Sequence, residues 1–85
     1  TMRAKPAPDM YIRAMERIGA DPSETMVIED SPSGVKAAAA ANAACIVGIY
    51  GDSDKKLLQD TEVCDYLIED YTRNYIGYIE RNLLE

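Results

Sequence analysis

Eighty-five residues bound this chain to at most one small domain, which buries a smaller share of its unfolded surface than a larger one would. With 47% hydrophobic and 28% charged residues its composition is ordinary for globular protein, and no apolar run approaches the roughly 20 residues of a membrane span. A formal net charge of -6, from 15 acidic against 9 basic residues, argues against a nucleic-acid surface, so any phosphate bound here needs a cation between.

In chain order, Lys5-Pro6-Ala7-Pro8-Asp9 is predicted to be rigid and extended, because each proline restricts the residue before it. A helix is predicted over residues 9–18, with Asp9 as cap or first-turn acid, Tyr11, Ala14, Met15 and Ile18 on one face, and Gly19 ending it. A turn around Asp21-Pro22-Ser23 leads into a strand over residues 25–28. That strand belongs to the run Met26-Val27-Ile28-Glu29-Asp30-Ser31-Pro32-Ser33-Gly34, an apolar stretch that stops abruptly at two carboxylates and a turn. Short apolar runs bounded by turn formers read as buried parallel strands, and open α/β sheets bind ligands at the carboxyl ends of such strands. Glu29 and Asp30 are therefore candidate site residues. The helix predicted from residue 33 brings backbone N–H groups beside them, a setting that suits a metal ion holding a phosphate.

The helix over residues 33–41 is alanine-rich and thin, and Asn42 is a sensible stop. Residues 45–50 read as a second buried strand, followed by the loop Gly51-Asp52-Ser53-Asp54 and a short helix over residues 54–60. Tyr66-Leu67-Ile68 reads as a third strand, and residues 72–84 as a terminal helix with Ile76, Ile79 and Leu83 on one stripe. Tyr66, Tyr71, Tyr75 and Tyr78 read as packing and interface residues and not as a base-stacking platform, since no basic groove accompanies them. Cys45 and Cys64 have no CxxC spacing and read as reduced packing thiols of a cytoplasmic protein. There are no histidines, which removes the commonest general base and the Ser-His and Cys-His nucleophile systems.

This alternation predicts an α/β fold with a three-stranded parallel sheet and right-handed crossovers. The strand over residues 25–28 should be interior, yet nothing before it can pair with its other edge. Another chain or a further segment is expected to cover that edge.

Two segments, Lys5-Pro6-Ala7-Pro8-Asp9 and Val27-Ile28-Glu29-Asp30-Ser31-Pro32-Ser33-Gly34-Val35-Lys36-Ala37-Ala38, resemble the third and fourth motifs of the haloacid dehalogenase superfamily of phosphohydrolases. The group most similar is that of β-phosphoglucomutase and phosphoglycolate phosphatase. The resemblance covers about residues 5–68 and implies the C-terminal half of a Rossmann-like three-layer fold. It implies phosphoryl transfer from a small phosphorylated metabolite through an aspartyl-phosphate, with Mg²⁺ bridging nucleophile and phosphate. By the same resemblance Asp30 and Glu29 hold Mg²⁺ directly or through water, Lys5 contacts the phosphate, and Ser31 adds a supporting hydrogen bond. These types suit the work: Mg²⁺ is a hard cation wanting oxygen ligands, and a lysine is a compact positive charge.

The family's first motif, an apolar strand ending in Asp-x-Asp, is not found in these residues. Neither is the second, a strand ending in Ser or Thr, nor the helical cap that selects substrate. Asp52-Ser53-Asp54 follows the second strand in a loop and is assigned to solvent or capping, and Asn42 stands where the group usually has glycine. The expectation is a partial core domain over residues 1–85, inactive alone and completed by an N-terminal half or another chain at the open edge. On the residues alone, Glu29 and Asp30 also read as solvated acids capping the following helix, and the whole as a non-catalytic α/β interaction module using its open strand edge.

Overall fold

The residues Cys45-Ile46-Val47 are apolar on both sides of the pleat and can rest only between two neighbours. The computed structural model describes residues 2–70 and places them in the middle strand of a three-stranded parallel sheet. In chain order the elements are α1 (Asp9–Ile18), a 3-10 turn (Pro22–Glu24), β1 (Met26–Glu29), α2 (Pro32–Ala40), β2 (Cys45–Ile49), α3 (Lys55–Gln59) and β3 (Tyr66–Ile68). The sheet order is β1-β2-β3, with Glu29 opposite Gly48 and Ile49 opposite Ile68. That register ends the three strands close together, so Asp30, Tyr50 and Glu69 follow one another along a common carboxyl edge. The predicted α/β architecture is the one observed. Among the described residues β1 pairs with β2 alone, leaving the expected open edge.

The period-2 alternation of strand side chains decides what each face carries. Val27 and Ile46 face Val35 and Ala38 of α2 and Leu58 of α3, forming one buried cluster. Cys45, Val47 and Ile68 form another, with Met26, Ile28, Ile49 and Tyr66 packed on it. The small side chains of Ala37 and Ala38, fully buried, let α2 lie close on β1 and β2. Contact is equally close at Gly48, where a Cβ would lie 2.9 Å from Cys64 Sγ and 3.0 Å from Leu67 Cδ2. Among the described residues no helix is long and apolar enough to cross a membrane.

Two local expectations are corrected. The segment before α1 is not extended. It makes a turn in which the Ala7 N–H donates to Ala4 O at 3.1 Å, and the Lys5–Pro6 peptide bond is cis. Asp9, expected as cap or first-turn acid, is the first-turn acid: it opens α1 and its carboxylate accepts from Arg3 Nη2 at 2.8 Å and from the Arg3 backbone N–H at 3.0 Å, while Pro8 holds the cap position without a side-chain bond. On the predicted apolar face of α1, Met15 is buried and Tyr11 half-buried, but Ala14 is exposed and Ile18 stays 77% exposed, so the stripe that packs is narrower than the spacing implies. Gly19 ends the helix at φ 70°, and Asn42 turns the chain after α2 at φ 62°, as read from the sequence. The predicted terminal helix over residues 72–84 lies outside the described residues, as do Tyr71, Tyr75 and Tyr78.

Candidate active site

The pleat that buries Val27 also turns Glu29, two residues on, toward the helices. Its side chain lies across the first turn of α2 at Gly34. A Cβ there would fall 2.1 Å from Glu29 Cγ and 2.2 Å from Cδ, so glycine is what makes room for the carboxylate. Ser31 caps α2: its backbone is extended (φ -122°, ψ 150°) and its Oγ accepts from the Gly34 N–H at 3.0 Å, with Pro32 at the first helical position. The cap is therefore serine, and the reading of Glu29 and Asp30 as mere helix caps is overturned. Ser31 Oγ also donates to Glu29 Oε1 at 3.4 Å, a long and weak bond.

Around Glu29 the fold gathers groups from three segments. The Tyr11 hydroxyl donates to Oε2, and Lys5 Nζ stands 3.5 Å from that same oxygen. The Asp30 N–H donates to Oε1 at 3.2 Å. Burial alone would push the Glu29 carboxyl up, but the hydrogen bonds from Tyr11 and Asp30 and the charge of Lys5 outweigh it and leave it below its usual range. Burial, the hydrogen bond to Glu29 and the neighbouring carboxylates push the Tyr11 phenol up, so it is a neutral donor at physiological pH. Sequence reasoning placed Tyr11 on the packing face of α1 and missed its hydroxyl. A tyrosine rather than a phenylalanine on a buried stripe is the signal that marks such a residue.

A carboxyl held below its unfolded value of 4.5 contributes stability that is present above that value and lost as pH falls through the folded one. The melting temperature is thus expected to drop as pH is lowered below about 4.5, and to drop less steeply in Glu29→Gln. Thermal unfolding of both proteins between pH 3 and 7 checks this.

Asp30, the first residue past β1, is exposed and opens onto a cleft of about 520 Å³ at the carboxyl edge. Tyr50, Asp52, Ser53 and Glu69 form its opposite side. Asp54, as expected, is a cap: its Oδ1 accepts from the Lys56 N–H at 2.9 Å at the start of α3. Among the described residues no three His, Cys, Asp or Glu side chains gather into a metal-holding group. The donor set at Glu29 and Asp30 nevertheless suits Mg²⁺, which is commonly held by one or two carboxylates and completes its shell with water and phosphate oxygens. Of the predicted site residues, the fold brings Lys5 and Glu29 into contact and sets Asp30 next to them at the sheet edge.

The acids thus sit at the carboxyl edge of a parallel sheet, where open α/β folds bind ligands, with a lysine brought to them from an earlier turn. A family model described as haloacid dehalogenase-like hydrolase matches residues 1–42, and the chain belongs to that superfamily. Among curated relatives it is 51% identical over 45 residues to a beta-phosphoglucomutase of Mycobacterium bovis, a match covering 53% of this chain and 17% of the relative. It is 36% identical over 70 residues to the validoxylamine A 7'-phosphate phosphatase of Streptomyces hygroscopicus, covering 82% of this chain and 31% of the relative. Among solved structures, a haloacid dehalogenase family hydrolase from Deinococcus radiodurans, crystallised with bound phosphate and sodium, superposes with a TM-score of 0.78 at 27% identity over 95% of this chain and 37% of its own. The chain spans less than a third of either curated relative.

Proposed function

We propose that these residues supply the cation carboxylates and the phosphate-contacting lysine of a Mg²⁺-dependent phosphatase or phosphomutase acting on a small phosphorylated metabolite. The observation that carries this reading is the meeting of Lys5 with Glu29, at 3.5 Å, at the carboxyl edge of a parallel sheet beside Asp30. Two segments separated by a helix and a strand bring opposite charges together where a phosphate would need both. The cation, when bound, offsets the repulsion between an anionic phosphate and an attacking carboxylate. Asp30 and Glu29 hold it, directly or through water, while Lys5 stabilises charge spread over the phosphoryl oxygens. Ser31 steadies the turn that carries them.

In this proposal the nucleophile, the second phosphate-binding motif and the substrate-selecting cap come from sequence outside these 85 residues, and a strand from that part covers the open edge of β1. The same edge would serve a non-catalytic module by accepting a partner chain's strand. The two readings part on activity. The native gene product is expected to release phosphate from a generic phosphomonoester only with Mg²⁺, and the 85-residue chain alone is expected to be inactive. Activity in the isolated chain would overturn the partial-domain reading, and an inactive native product would leave the interaction module.

A further inference from the structure

Tyr11 belongs to α1 and its ring packs against the core cluster that holds Val27, Val35 and Leu58, yet its hydroxyl reaches Glu29 Oε2. A glutamate has three side-chain torsions, and at the end of a strand it is free to swing toward solvent unless something stops it. One oxygen, Oε1, is met by the Asp30 N–H and, weakly, by Ser31. The other has two neighbours of different kinds. Lys5 is a third exposed, on a long stem, and 3.5 Å away; the tyrosine hydroxyl rides on a ring clamped by packing, with only two torsions to fix. Of the two, tyrosine is the rigid donor.

We infer that Tyr11 is a positioning residue, whose hydroxyl fixes the Glu29 carboxylate beside Asp30 independently of Lys5 and so leaves the lysine free to turn toward a phosphate. The consequence for cation binding rests on the proposed function; the ordering of Glu29 does not. Partners that orient a ligating carboxylate change metal affinity by roughly 10–100-fold when removed.

The test compares the native gene product with its Tyr11→Phe variant, which keeps the ring, and with its Asp30→Ala variant. Three-bond couplings to Glu29 Cγ report its rotamers, and Mn²⁺ binding, followed by water-proton relaxation, reports the site. The expected result is one Glu29 rotamer in the wild type, averaged rotamers in Tyr11→Phe, and an Mn²⁺ affinity about tenfold weaker there. Averaged rotamers in the wild type, or a single one retained in Tyr11→Phe, overturn the inference. An affinity unchanged in Tyr11→Phe but lost in Asp30→Ala overturns Tyr11's part in binding and leaves the cation reading standing. Mn²⁺ binding that is absent from the wild type, or indifferent to Asp30→Ala, counts against the cation reading, while the rotamers still decide whether Tyr11 orders Glu29.

Discussion

Lys5→Ala in the native gene product is expected to lower kcat for phosphate release by about 10²–10³, the usual effect of removing one preorganised charge from a phosphoryl-transfer site. Stability should change by less than about 1 kcal/mol, because Lys5 is partly exposed and its pairing with Glu29 is solvent-screened. The positive charge also lies just before the N-terminus of α1, where a cation opposes the helix dipole, so its pairing with Glu29 is the favourable contact that holds it there. Lys5→Arg should not restore full activity, since a planar fork cannot replace a compact ammonium held 3.5 Å from Glu29. Steady-state kinetics beside thermal unfolding separate the two roles. A variant that keeps its kcat would remove Lys5 from the chemistry.

Gly34→Ala should have the second large effect, and one that runs against helix propensity. Alanine in place of glycine within a helix ordinarily stabilises by about 1 kcal/mol. Here the new Cβ would fall 2.1 Å from Glu29 Cγ, so the side chain must leave the first turn of α2 and, with it, the Tyr11 hydroxyl and Lys5. Separating a half-buried carboxylate from its donors costs about 1–3 kcal/mol, enough to cancel the propensity gain or exceed it. The expected outcome is a domain that still folds, is no more stable than wild type, and in the native gene product has lost at least tenfold in Mg²⁺ affinity. Denaturant unfolding and a Mg²⁺ titration of activity measure both. A more stable protein with unchanged Mg²⁺ dependence would show that Glu29 does not need its place over Gly34.

Most of the fold was legible because its signals are local. The β-branched run at residues 45–49, the turn at Ser31-Pro32 and the left-handed positions Gly19 and Asn42 each act within a few residues, and the observed elements follow them closely. β1 and α2 begin within a residue or so of where the pattern put them, the difference at α2 being that Ser31, and not the acids before it, caps the helix. What the pattern missed depends on contacts between distant segments. Arg3 pairs with Asp9 six residues on, and the last turn of α1 leaves Ile18 in solvent; neither follows from spacing alone. The candidate site divides in the same way. Glu29 and Asp30 stood out because two carboxylates ended an apolar run, and Lys5 entered through a motif resemblance. The role of Gly34 as space for a side chain, and of Tyr11 as a donor to Glu29, became visible only when α1, β1 and α2 were folded together.

The proposed role of Asp30 and its neighbours is to form the cation and phosphate end of a phosphoryl-transfer site. Its most direct test is Mg²⁺-dependent phosphate release by the native gene product beside its Asp30→Ala variant, with folding checked by thermal unfolding. The wild-type product is expected to be active only with Mg²⁺, and the folded variant to be at least a hundredfold slower and not rescued by added Mg²⁺. An Asp30→Ala product with wild-type activity and an unchanged Mg²⁺ requirement would contradict that role.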